Sequence, residues 1–124
     1  MRPVRALLFV LALVVAPLSA RAEMTLLMAE EAGCMWCARW NAEVAPEYPL
    51  TAEGRAAPLL RHDIDTALPE GITLRSRLRF TPTFVLLRDG VEVDRLEGYP
   101  GEDFFWGLLG AMLDRAGKAP QTGG

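Results

Sequence analysis

Cys34 and Cys37 are the only cysteines in the chain, and only Met35 and Trp36 separate them. At that spacing two thiols can exchange disulfides with a partner, bridge to each other, or share a metal ion. The thiolate is the form that attacks, and its pKa falls from about 8.5 toward roughly 3.5–7.5 where helix N-terminal N–H groups lie behind it. Ala32-Gly33 reads as a turn, and Cys34 opens the helical segment that follows. A helix start supplies unpaired donors and positive dipole charge. Cys34 is therefore the expected nucleophile at the exposed end. Cys37, one turn further in, is placed to attack a mixed disulfide on Cys34 and release the product.

Three other uses of the pair weigh against this one. A structural bridge across so short a loop removes little unfolded-state entropy and makes a poor staple. Zinc wants four ligands, but the chain has no second cysteine pair, and its single histidine, His62, falls in a strand-like segment as a strand-edge or packed residue. No metal is expected. Two unrelated buried thiols fit poorly with a turn and a helix start. Soft sulfur ligands would suit Cu(I), so a copper-binding module built on Cys34, Cys37 and Met28 or Met35 is the rival from another class. A second element is Thr81-Pro82-Thr83. A proline there must sit at a strand start or edge, or take a cis bond, because it cannot donate to a ladder.

The elements that hold these residues alternate. Met24–Ala29 is a short apolar run and reads as a buried strand. Cys34–Ala45 reads as a helix ended by Pro46, and Ala57–Ile64 as a second strand. A short helix is expected within 66–77, after Gly71. Phe80–Leu87 is a strong strand, Asp89-Gly90 a hairpin turn, and Val91–Glu97 an edge strand alternating apolar and polar residues. Glu102–Ala116 is the clearest helix, with Phe105, Leu108, Leu109 and Met112 at helical spacing. The strand-helix-strand start implies a parallel crossover, and the hairpin adds antiparallel pairing. The expected fold is α/β: a mixed four-stranded sheet with helices on both faces, about three in all. Trp40, Phe84, Leu86 and Phe105 are the expected core.

The chain of 124 residues also carries a leader. A basic start with Arg2 and Arg5 precedes eleven apolar residues, Ala6–Ala16, and then Pro17-Leu18-Ser19 and Ala20-Arg21-Ala22. This is the layout of a cleavable secretory signal peptide, 1–22, with cleavage after Ala22. Eleven helical residues rise about 16 Å, too little for a hydrocarbon core of about 30 Å, so no stable membrane insertion is expected after cleavage. Removing Arg2, Arg5 and Arg21 takes the 13 basic residues to 10 against 16 acidic ones, a net charge of −6. Such an acidic domain is a poor partner for nucleic acid. The domain is expected over 23–117, with a frayed tail over 118–124.

A strand, a Cys-x-x-Cys helix start, Thr81-Pro82-Thr83 before an apolar strand, an Asp-Gly hairpin and Gly98 ahead of a final helix together resemble the thioredoxin-like superfamily. The resemblance runs from Met24 to about Ala116. It implies a thiol–disulfide oxidoreductase without cofactor, which cycles through a Cys34–Cys37 disulfide. It also implies a cis Pro82, a Thr81 that faces Cys34 and offers its backbone to an extended substrate segment, and a Gly98 that keeps the substrate surface open. Trp36 would belong to that surface or pack on its own helix. Departures matter too. The chain lacks a leading strand and helix and so looks glutaredoxin-sized. The family's buried acid is replaced by Met28, with Glu30 and Glu31 as nearby substitutes. The stretches 31–40 and 48–55 resemble the periplasmic SoxS type found in bacterial sulfur-oxidation operons. That implies a periplasmic reductant of a partner protein, supplied by a membrane thiol transporter of the DsbD or CcdA kind. An oxidant or isomerase on the same fold is the rival reading.

Overall fold

The computed structural model describes residues 14–17 and 22–118. Most of the expected leader and of the tail lies outside the described residues. The strands are β1 (Met24–Glu30), β2 (Leu59–Asp63), β3 (Thr83–Arg88) and β4 (Val91–Glu97), and the α-helices are α1 (Met35–Glu43), α2 (Ala52–Ala56) and α3 (Glu102–Lys118). The sheet order is β2-β1-β3-β4. β1 pairs parallel with β2 and antiparallel with β3, and β3 pairs antiparallel with β4. The mixed four-stranded sheet with three helices is thus the expected class.

The apolar runs of β1 and β3 follow from burial on both sheet faces. One face presents Leu26, Met28, Phe84 and Leu86 to Cys37, Trp40 and Val44 of α1 and to Phe105, Leu109, Met112 and Ala116 of α3. Trp40, Phe84 and Phe105 meet with ring centroids 5.0–5.7 Å apart at tilted or edge-on angles. Such pairs add about 0.5–1.5 kcal/mol each beyond area burial. The buried stripe of α3 is out of phase with the expected one: Leu108 lies exposed beside Phe104, and Ala116 takes the last core position. At about 100° per residue the buried set Phe105, Leu109, Met112 and Ala116 is centred on the side of Leu109 and Ala116, which leaves Leu108 about 70° from its middle, at the exposed margin.

The second face departs from expectation. No helix forms within 66–77, and the helices do not divide between the two faces. An extended strap over 64–80 covers Leu27, Ala29, Val85 and Leu87 with Leu68, Ile72, Leu74 and Leu78. Pro69 and Gly71 interrupt any helical turn, and Ile72 and Thr73 are β-branched. Thr73 instead makes a parallel bridge to Val91: its N–H donates to the Gly90 carbonyl at 2.8 Å, and its carbonyl accepts from Glu92 N–H at 2.9 Å. Gly71 and Gly90 pass so closely that a Cβ on Gly90 would lie 2.1 Å from the Gly71 oxygen.

The strap is keyed by a buried acid. Glu92, 4 % exposed, accepts from Arg95 at 2.7 and 3.2 Å and from the Arg75 N–H at 3.1 Å. Arg95 in turn donates to the carbonyls of Ser76 and Arg77. The polar side of the edge strand β4 is thus partly internal. The Asp89-Gly90 hairpin forms as expected, with φ of 49° and 81°.

Candidate active site at the Cys34–Cys37 turn

β1 ends at Glu30, and the turn through Gly33, whose φ is +80°, aims the chain into α1. Cys34 is the N-cap of α1, with extended backbone, and its sulfur accepts the Cys37 N–H at 3.1 Å. Cysteine thus does here what Ser or Asp does at other helix starts, and a backbone donor is aimed at the sulfur that would carry charge. Cys34 and Cys37 are joined as a disulfide with Cα atoms 5.2 Å apart. Cys37 is 3 % exposed and packs into the core, whereas Cys34 is only half-buried. Met35 and Trp36 between them point outward, 75 % and 49 % exposed, and the Arg39 guanidinium stacks 5.5 Å over the Trp36 ring.

Beside the disulfide runs a groove of about 320 Å³ with Cys34, Cys37, Gly33, Asn41, Glu31 and Asp63 on its walls. Glu31 accepts a hydrogen bond from the Thr81 hydroxyl at 2.6 Å, which ties the turn before Cys34 to the segment holding Pro82. Glu30 is paired with Arg61 at 2.6 Å. Glu30 and Glu31 are therefore both engaged in side-chain contacts. Met28, in the place expected for a buried acid, is fully buried on the face that also packs Cys37. The Thr81–Pro82 peptide bond is cis. The Pro82 carbonyl accepts the Gly98 N–H at 2.7 Å, so Gly98, with φ +86°, stands against the same segment. Nothing lies within 4 Å of where a Gly98 Cβ would be, and this open side is consistent with an uncovered surface.

Sequence reasoning missed Phe80, which is 57 % exposed next to Thr81, and Asn41, whose polar type on the inner turn of α1 was the available signal. It also missed a polar network at the far end of α1. Tyr99 donates its hydroxyl to Glu43, which also pairs with Arg39 at 2.7 Å. The hydrogen bond from Arg39, then that from Tyr99, lowers the Glu43 pKa, while burial first and Glu43 second raise that of Tyr99. His62 is buried in β2, as expected of a packed histidine. Among the described residues no three His, Cys, Asp or Glu side chains cluster as a metal site, and no helix is long and apolar enough to cross a membrane.

A scan against protein-family models finds no match, and neither does a search of curated proteins. Solved structures do match. The periplasmic thioredoxin SoxS from Paracoccus pantotrophus, in its reduced form, is 56% identical, with a TM-score of 0.75 over 76% of this chain and 99% of that one. A thioredoxin of Malassezia sympodialis is 15% identical with a TM-score of 0.53, over 73% of this chain and 77% of that one. Thioredoxin-2 of a malaria parasite is 16% identical with a TM-score of 0.54, over 77% and 88%. The last two share the fold, and the first shares more than half its residues over almost its whole length. With a Cys-x-x-Cys pair bridged at a helix start, the chain belongs to the thioredoxin family and is a thiol–disulfide oxidoreductase.

Proposed function

We propose that the protein works in the periplasm as a reductant of a partner protein. Cys34 is the nucleophile and Cys37 the resolving thiol. The Cys34 thiolate attacks a disulfide, or a cysteine blocked by a sulfur-bonded group, on the partner. The new bond joins Cys34 to one partner sulfur, and the other leaves as a thiolate that takes a proton from water. Cys37 then loses its proton to water and bonds to Cys34, which breaks the bond from Cys34 to the partner and expels the second partner sulfur as a thiolate, so the partner gains two electrons and the Cys34–Cys37 disulfide is left. A membrane thiol transporter of the DsbD or CcdA kind returns those electrons. The sulfur-oxidation carrier protein is the candidate partner, in line with the likeness to SoxS.

The observation that carries this reading is the asymmetry of the pair: Cys34 caps the helix half-exposed with a donor on its sulfur, and Cys37 is buried behind it. Met35 and Trp36 between the cysteines, and Phe80 next to Thr81, are exposed apolar side chains suited to a docked protein. The Thr81 backbone beside Pro82 would add a strand-like contact to an extended partner segment, with Gly98 leaving room for it.

The test has two arms. Cys37→Ser should accumulate mixed disulfides with periplasmic partners on non-reducing gels, and Cys34→Ser should not. Adducts with both variants, or with Cys34→Ser alone, overturn the roles. The reduction potential reports the direction. A value near the roughly −270 mV of thioredoxin supports a reductant, and one near the roughly −120 mV of DsbA makes the protein an oxidant.

A further inference from the structure

Asn41 lies one helical turn beyond Cys37 on α1, and both line the groove beside the disulfide. Helical side chains lean toward the helix N-terminus, so the amide of residue 41 lies over the turn that carries residue 37. The Asn41 Oδ1 atom is buried and has no hydrogen-bond partner. The carboxylates of the groove are all occupied: Glu30 by Arg61, Glu31 by the Thr81 hydroxyl, and Asp63 by the Asp65 N–H at 2.9 Å. A buried acceptor without a donor is costly and calls for an explanation.

The oxidation state supplies one. In the disulfide Cys37 has no proton to offer. In the dithiol it has an S–H, one turn from an oxygen that lacks a donor. We propose that Asn41 is a positioning residue of the redox cycle, whose Oδ1 accepts the Cys37 S–H in the dithiol and is left unpaired when the disulfide closes. This rests on the reading of Cys37 as the buried resolving thiol. When an external dithiol reduces the protein, the Cys34–Cys37 bond breaks and two electrons enter. Cys34 leaves as the thiolate, the donor's two thiols give one proton to Cys37 and one to water, and the donor becomes a disulfide. When the bond closes again on a partner, the Cys37 proton passes to water. Asn41 itself neither gains nor loses a proton. Its effect is to favour the dithiol and to hold the Cys37 thiol in a fixed place beneath Cys34.

Asn41→Leu keeps the approximate size of the side chain and removes the acceptor. In glutathione redox buffers the variant should shift about fivefold toward the disulfide, the weight of one neutral hydrogen bond. At 29.6 mV per tenfold that is about 20 mV more negative. In the reduced protein the Cys37 S–H stretch should move to higher wavenumber, as befits a lost hydrogen bond. Asn41→Ala, which a helix accepts readily, gives the same two readouts if the leucine variant does not fold. A merely structural Asn41 would alter the melting of the oxidised and reduced forms equally and leave potential and S–H band unmoved, which overturns the proposal. If Cys37→Ser traps partners and the Asn41 variants show no shift, only this inference falls. If Cys37→Ser traps nothing, the assignment of Cys37 falls first.

Discussion

Glu92→Ala tests whether the strap over 64–80 is held by a buried ion pair or merely lies on the sheet. The carboxylate accepts two hydrogen bonds from Arg95 and one from the Arg75 backbone, with the Glu92 side chain 3% and the Arg95 side chain 12% exposed. Breaking a buried pair by removing one partner costs about 3–5 kcal/mol, because the other charge stays behind. Here the stranded guanidinium keeps the Ser76 and Arg77 carbonyls and a longer contact to Glu97 at 3.8 Å. That places the loss at the lower end, about 3 kcal/mol.

In a domain of this size each kcal/mol moves the melting temperature by about 4–8 °C, so a fall of about 12–24 °C is expected. Urea melts give the free energy, and the slope m should hold if the variant still folds to the same extent. Glu92→Gln keeps an acceptor and should lose about half as much. Glu30→Gln removes the half-buried partner of the exposed Arg61 and should lose under about 1 kcal/mol. A Glu92→Ala loss as small as that of Glu30→Gln would refute the reasoning, and the strap would then be held by Leu68, Ile72, Leu74 and Leu78 alone.

Three further outcomes are expected. Brief iodoacetamide treatment of the reduced protein near neutral pH should label Cys34 and spare Cys37, read by mass spectrometry; equal labelling would contradict the 3 % exposure of Cys37. Gly98→Ala should cost about 1–2 kcal/mol in a denaturant melt through its φ of +86° alone, since its Cβ meets nothing; a far larger loss would point to a clash the open space does not contain. The Tyr99 pKa is raised above 10.0 in the fold, so its stabilisation is complete below pH 10 and lost as pH rises through the folded value. Tyr99→Phe should flatten that alkaline fall. Glu43 is lowered below 4.5, so its share is present above pH 4.5 and lost as pH falls through the folded value. Glu43→Gln should flatten the acid limb, and unchanged limbs in both variants would refute the network.

The features legible in the sequence were those whose cause is local. A glycine turn and a cysteine at a helix start, an Asp-Gly hairpin and the apolar runs of β1 and β3 each follow from a few neighbouring residues, and each stands where expected. The strap was not legible because its determinants are distant. Leu68, Ile72, Leu74 and Leu78 share one parity, but Glu70 and Ser76 interrupt the alternation and Pro69 and Gly71 break the run, and what holds the strap in place is the Gly90 carbonyl of the hairpin together with the Glu92 amide and carboxylate of β4. The burial of Glu92 was not legible for the same reason: the alternation within β4 is regular, and only the returning strap makes its side internal. At the site the same division holds. Spacing located Cys34 and Cys37, but the link from Glu31 to Thr81 crosses 50 positions of sequence and the orphaned oxygen of Asn41 exists only once the groove is built. Around a locally written dithiol, the site is therefore completed by polar groups distant in sequence. Substitutions at Glu31, Asn41 and Glu92 should accordingly change its behaviour without touching the motif that identifies it.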